Sequence, residues 1–96
     1  MNSKLKNEMC DHLFEAILNL KTIEECYNFF EDLCTIKEIQ EMSQRFEVAR
    51  MLYENAKYND ITKKTGASPA TISRVNRALN YGADGYKVIL SRMLNK

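Results

Sequence analysis

Twice in close succession the sequence writes the same helix-opening signature: Thr22-Ile23-Glu24-Glu25, then Thr35-Ile36-Lys37-Glu38. In each, a threonine hydroxyl is placed to accept from the backbone N–H three residues on, and the glutamate at that position can reach back. Two of the donors that a helix start leaves open are then satisfied. With only three glycines and one proline in 96 residues, the chain has little turn chemistry for strands and hairpins. The expected fold class is all-α.

Apolar residues recur at helical spacing between these openings. Leu5, Met9, Leu13, Ile17 and Leu20, joined by Phe14 and Leu18, predict a first helix from about Leu5 to Leu20. The second, capped by Thr22, carries Ile23, Cys26, Tyr27, Phe30, Leu33 and Cys34 and runs to about Cys34. A longer third helix follows Thr35 to about Asn55. Its buried stripe is Ile39, Met42, Phe46, Ala49, Leu52 and Tyr53, and Lys37, Glu41, Gln44, Glu47 and Glu54 face the other way. Asn59 can cap a short fourth helix from Asp60 to Thr65, which Gly66 would end with a positive φ. Ser68 and Pro69 open a fifth, running through Ile72, Val75 and Leu79 to about Asn80. After a break at Tyr81-Gly82-Ala83, Asp84 can cap a sixth bearing Val88, Ile89, Leu90, Met93 and Leu94. Six helices in one domain, residues 1–96, account for the chain, and a core this small favours help from a second subunit.

The net charge of +1 conceals a division. Residues 1–56 hold six Lys/Arg against eleven Asp/Glu, and residues 57–96 hold eight against two. The second stretch is a candidate polyanion-binding surface. No apolar run reaches the length of a membrane span. The first six residues, with two lysines and no apolar segment after them, do not read as a signal peptide, so the cytoplasm is the expected compartment. Cys10, Cys26 and Cys34 are odd in number and far apart. They form neither a disulfide framework nor a zinc knuckle, and they read as small core residues.

Residues 58–79, YNDITKKTGASPATISRVNRAL, concentrate the functional signal. A helix-turn-helix needs an apolar anchor in its first helix, a glycine in its turn and an apolar inner face on its second helix. Ile61, Gly66 and the triad Ile72, Val75, Leu79 supply these between about residues 58 and 80. Ala70, Thr71, Ser73, Arg74 and Arg77 then face outward or flank the edge, and Ser68 opens the helix. Small residues let a helix start enter the major groove, threonine and arginine can bond bases or phosphates, and the helix N-terminus favours a phosphate. Lys57, Lys63 and Lys64 are placed to reach the DNA backbone. The expected DNA-binding set is Lys57, Lys63, Lys64, Ser68, Ala70, Thr71, Ser73, Arg74 and Arg77, with no catalytic and no metal-ligating residue.

With these residues in view, the chain resembles the Trp repressor superfamily, and within it the YerC/YecD-type branch of small Trp-repressor-like proteins. The matching stretches are TIKEIQEMSQRFEVARML and TGASPATISRVNRAL, and the resemblance covers about Thr35 to Leu79. It implies an intertwined homodimer with two reading helices facing successive major grooves of a palindromic operator in double-stranded DNA. It also implies a corepressor site, in which Arg45 and Arg74 match the two arginines that sandwich tryptophan and Thr35 matches a threonine at the start of the central helix. Two positions depart from the pattern. Val75 stands where the Trp repressor has a glycine, and would crowd an indole. Ala78 replaces a serine. A small-molecule corepressor other than L-tryptophan, or none, is the reading that follows.

Plainer readings stand beside these. His12 has no Cys or His at ligand spacing. Asp11 and Glu15, four apart, read as a solvated acidic face, and Tyr27, Phe29 and Phe30 as core or dimer seam. Arg45 and Arg50 also read as surface charges paired with Glu47 or Glu54. The leading function is a DNA-binding transcriptional regulator, a repressor that works by occupying its operator. A DNA-binding accessory of a transposase or recombinase and a helical protein-interaction module remain alternatives. An enzyme is the weakest reading, because no phosphate loop, nucleophile–base pattern or metal signature is present in the sequence.

Overall fold

The computed structural model describes residues 3–95, so Met1, Asn2 and Lys96 lie outside it. Six helices occur among the described residues, with no strand: α1 (Glu8–Leu18), α2 (Ile23–Leu33), α3 (Ile36–Tyr53), α4 (Tyr58–Thr65), α5 (Pro69–Tyr81) and α6 (Gly85–Leu94). The chain divides into two compact units, one ending at Thr35 and one beginning at Ile36. No helix is long and apolar enough to cross a membrane.

In the first unit, α1 is shorter than its apolar stripe predicts. Asn7 Oδ1 accepts from the Cys10 N–H at 2.8 Å, so the helix opens there and Leu5 stays outside it. At the far end the Asn19 carboxamide donates to the Glu15 carbonyl at 2.8 Å and its N–H is tied to Ala16 and Ile17, which leaves Leu20 beyond the helix. α2 opens on Thr22, whose hydroxyl accepts from the Glu25 N–H at 3.0 Å. The Glu25 carboxylate accepts in return from the Lys21 N–H at 2.9 Å, one residue earlier than a strict capping box would have it. Neither helix has a fully buried residue. Met9, Leu18 and Ile23 are each more than three-quarters exposed. The three cysteines are free and only half-buried, a correction to their reading as core residues: a unit of two short helices has no third layer to close over them.

The second unit has a complete core of Val48, Ala49, Ile61, Ala67, Ile72, Val75, Leu79 and Leu90. Burying a side chain such as Ile61 or Ile72 stabilises by about 1.5–3 kcal/mol. α5 packs against α3, α4 and α6. The stripe expected of α3 is realised only in its C-terminal half. Ala49 is buried, Phe46, Leu52 and Tyr53 pack at the core margin, and Met42 is exposed. Val48, absent from that stripe, is fully buried, because three helices rather than one plane surround this half of α3. On α6 only Leu90 is fully buried, while Val88, Ile89 and Met93 remain exposed.

Two expected caps differ. α4 begins at Tyr58, before Asn59, with Lys57 as a cap that makes no side-chain bond. The earlier start adds the bond from the Ile61 N–H to the Lys57 carbonyl at 3.0 Å, and a cap worth about 1 kcal/mol does not outweigh it. Asp84 does precede α6, but at φ +65°, and its side chain makes no capping bond. Side-chain capping is favoured from an extended backbone. The Asp84 carbonyl receives the Val88 N–H instead, at 3.0 Å.

Candidate nucleic-acid interface

The link between α4 and α5 is three residues, Gly66, Ala67 and Ser68, and each is fixed by a separate device. Gly66 takes φ +73° and its N–H closes α4 on the Thr62 carbonyl at 2.8 Å. A left-handed residue here would cost any L side chain about 1–2 kcal/mol. Ala67 is buried, and its N–H donates to Thr65 Oγ1 at 3.1 Å. That same hydroxyl donates to the Ile61 carbonyl at 2.7 Å. Ser68 Oγ accepts from the Thr71 N–H at 3.1 Å and donates to Thr71 Oγ1 at 3.1 Å, so α5 opens on a closed ring of bonds.

A residue from α3 completes the link. Gln44 Nε2 donates to the Thr65 carbonyl at 3.1 Å. The sequence placed Gln44 on the solvent face of α3, and the structure corrects this: it is half-buried and caps the end of α4 from outside. Neither Gln44 nor Thr65 stood out in the sequence. A hydrogen bond across 21 positions leaves no local pattern.

Eight of the nine residues expected to touch DNA are exposed: Lys57, Lys63, Lys64, Ser68, Ala70, Ser73, Arg74 and Arg77. Thr71 is half-buried. Lys63 and Lys64 occupy the last turn of α4, next to the link, while Lys57 stands at the opposite end of that helix. Ile72, Val75 and Leu79 hold the inner face of α5 in the core, which fixes the direction in which Ala70, Ser73, Arg74 and Arg77 point. Among the described residues, Lys63, Lys64, Arg74 and Arg77 make no ion pair. Ion pairs do form earlier in the chain, among them Lys6–Asp11, His12–Glu8, Lys37–Glu41 and Arg50–Glu47. Arg50 is thus paired as its sequence neighbours suggested, and His12 sits by a carboxylate.

Arg45 and Arg74 come together. With Glu41, Gln44 and Thr71 they line a cavity of about 300 Å³ between α3 and α5. Thr35, the last residue of the first unit, is not among its lining residues. Val75 is 2% exposed, belongs to the core, and is not among the residues that line this cavity. Ala78 lines a separate cavity with Ala83, Gly85 and Tyr86. The lining of the Arg45–Arg74 cavity is five polar or charged side chains, with no apolar residue among them.

Known proteins resemble this one along nearly its whole length. The family model described as Trp repressor protein matches residues 8–94. The uncharacterised protein YerC of Bacillus subtilis (strain 168) is 59% identical over 90 residues, which span 94% of this chain and 86% of that protein. The crystal structure of a TrpR-like protein from Eubacterium eligens ATCC 27750 matches with a TM-score of 0.90 at 61% identity, over 96% of this chain and 95% of that one. That of a candidate Trp repressor from Staphylococcus aureus also gives 0.90, at 52% identity over 97% and 93%.

Proposed function

The chain belongs to the Trp repressor family, and from that premise we propose that it is a sequence-specific DNA-binding regulator of transcription, a repressor that works by occupying its operator. α4, the link and α5 act as its helix-turn-helix, with α5 entering the major groove by its Ser68 end. The observation that carries this reading is the outer face of α5. It bears small, hydroxylated and unpaired basic residues on a helix held from behind by a complete core. Arg74 reads a base, or holds a phosphate beside it; Lys63 and Lys64 neutralise phosphates.

A homodimer fits the rest of the molecule. Apolar side chains stand exposed on α1, α2 and α6, among them Leu18, Ile23, Val88 and Met93. A second copy of the chain would cover them, and a two-fold pair would read a palindrome with half-sites about one helical turn apart. The cytoplasm is the compartment for such a protein. The Arg45–Arg74 cavity supports a small anionic corepressor rather than L-tryptophan. Calorimetric titration with L-tryptophan should give no micromolar binding, and an isotherm in that range would restore tryptophan as the ligand.

The first test is selection from a randomised duplex pool at two salt concentrations, followed by sequencing. An enriched palindrome is the expected outcome. Binding that stays weak, salt-sensitive and without sequence preference would remove operator reading, and no binding at low salt would favour the protein-interaction alternative.

A further inference from the structure

The sequence treats Tyr81 as part of the break after α5, but the structure makes it the last residue of that helix. It is 87% exposed, the most open of the large apolar side chains described. Its position on α5 is specific. Ala70, Arg74, Arg77 and Tyr81 follow one another at offsets of four, three and four, which places them on one face, opposite Ile72, Val75 and Leu79. The phenol therefore continues the outer stripe, one turn beyond Arg77. Nothing apolar shares that stripe except the small Ala70.

The end of the helix is held at this point. Gly82 follows with φ −89° and ψ −147°, its N–H bonded to the Ala78 carbonyl. A Cβ on Gly82 would lie 2.3 Å from that carbonyl oxygen, so a side chain there would force the backbone to shift. The exit at Gly82 stops α5 immediately after the tyrosine and keeps its ring at the tip of the stripe.

We propose that Tyr81 is a DNA-positioning residue, whose hydroxyl donates to a phosphate at the edge of the groove that α5 enters. This rests on α5 being the reading helix. From Ala70 to Tyr81 the stripe climbs about 16 Å along the axis. A helix that enters the groove inclined, by its Ser68 end, leaves its last turn beside the sugar–phosphate wall. Arg77 and Tyr81 are the two side chains of the stripe at that end. The local charge fits a polyanion: Arg74 and Arg77 share the stripe, and neither makes an ion pair among the described residues. The phenol contact carries no sequence information. It fixes how far α5 rolls in the groove, and so which bases face Ser73 and Arg74.

Tyr81→Phe removes the hydroxyl alone. Affinity for a mixed-sequence duplex of about 30 base pairs, enough for two half-sites, is measured for the parent, Tyr81→Phe, Tyr81→Ala and Arg74→Ala over a salt series. Both Tyr81 variants should lose roughly tenfold or more, the worth of one hydrogen bond to a charged acceptor. Their salt slope should equal the parent's, because a phenol releases no counterion, whereas Arg74→Ala should flatten it if Arg74 holds a phosphate. Melting temperature and sedimentation behaviour should not change. Parent-like affinity in both Tyr81 variants would overturn the proposal and leave the helix-turn-helix reading standing. A change in oligomeric state with Tyr81→Ala would overturn it too, assigning the ring to a seam between copies. A parent that binds no duplex would sink this inference and the regulatory reading together.

Discussion

α1–α2 and α4–α5 are built alike and end up in opposite states. Each is a pair of short helices with a brief link, an oxygen-bearing cap and an apolar stripe. In α4–α5 the stripe is consumed: Ile61, Ile72, Val75 and Leu79 are buried. In α1–α2 no residue is. The charges divide similarly, since ion pairs form between residues 6 and 50 while, among the described residues, the cations of α4 and α5 stand alone. Amphipathic spacing thus says which face of a helix seeks cover. It does not say whether the same chain supplies it. The second unit closes its own core with α3 and α6, although Val88, Ile89 and Met93 of α6 stay exposed. The first buries none of its side chains completely.

The sharpest way to break this contrast is to cut one residue from each region. Ile72→Ala should destabilise by about 2–5 kcal/mol in urea unfolding, at any protein concentration. Leu18→Ser should instead lower the melting temperature in a concentration-dependent way if a second copy covers that side chain, as proposed. Equal, concentration-independent losses would mean that the two regions are covered by the same chain after all. Next in size, Arg74→Ala should cost about 1–3 kcal/mol of operator affinity if it pairs with a base, with the melting temperature unchanged, as suits an exposed residue. Gly66→Ala should destabilise by about 1–2 kcal/mol through its left-handed φ, read by the urea midpoint. Smallest in free energy, Lys63→Ala should leave stability alone and reduce the slope of log affinity against log salt by roughly one. An unchanged slope would place Lys63 away from DNA.

Much of the second unit was legible because its signals are local. Gly66, Ser68-Pro69 and the triad Ile72, Val75, Leu79 each act within a turn or two, and their effects are found where the sequence placed them. Legibility failed in two ways. Weak local preferences lose to backbone bonds nearby: Asn59, a favoured cap residue, lies within α4, and Asp84 precedes α6 without capping it by its side chain. Long-range contacts left no trace at all. Gln44 has an ordinary place on a polar face of α3, and only the folded chain brings Thr65 to it. Val48 lies off the stripe of α3 for the same reason, since its burial depends on three helices that the stripe alone does not describe. In the candidate site, the outward residues of α5 could be named once its inner face was known. The meeting of Arg45 with Arg74 came from family resemblance, and the cavity's other walls from neither.

Ser68 has a consequence for how discrimination arises. Its single O–H donor is engaged in the free protein: the hydroxyl accepts from the Thr71 N–H and donates to Thr71 Oγ1. A DNA acceptor that recruits this hydroxyl must displace Thr71 Oγ1, so the contact is an exchange of one bond for another. Swaps of this kind add little to tightness. They penalise a duplex that presents no acceptor at that point much less than a free, waiting donor would, and they release the threonine hydroxyl to seek a partner of its own. The two side chains would then respond to sequence as one unit, and a double-mutant cycle between them should be far from additive on DNA.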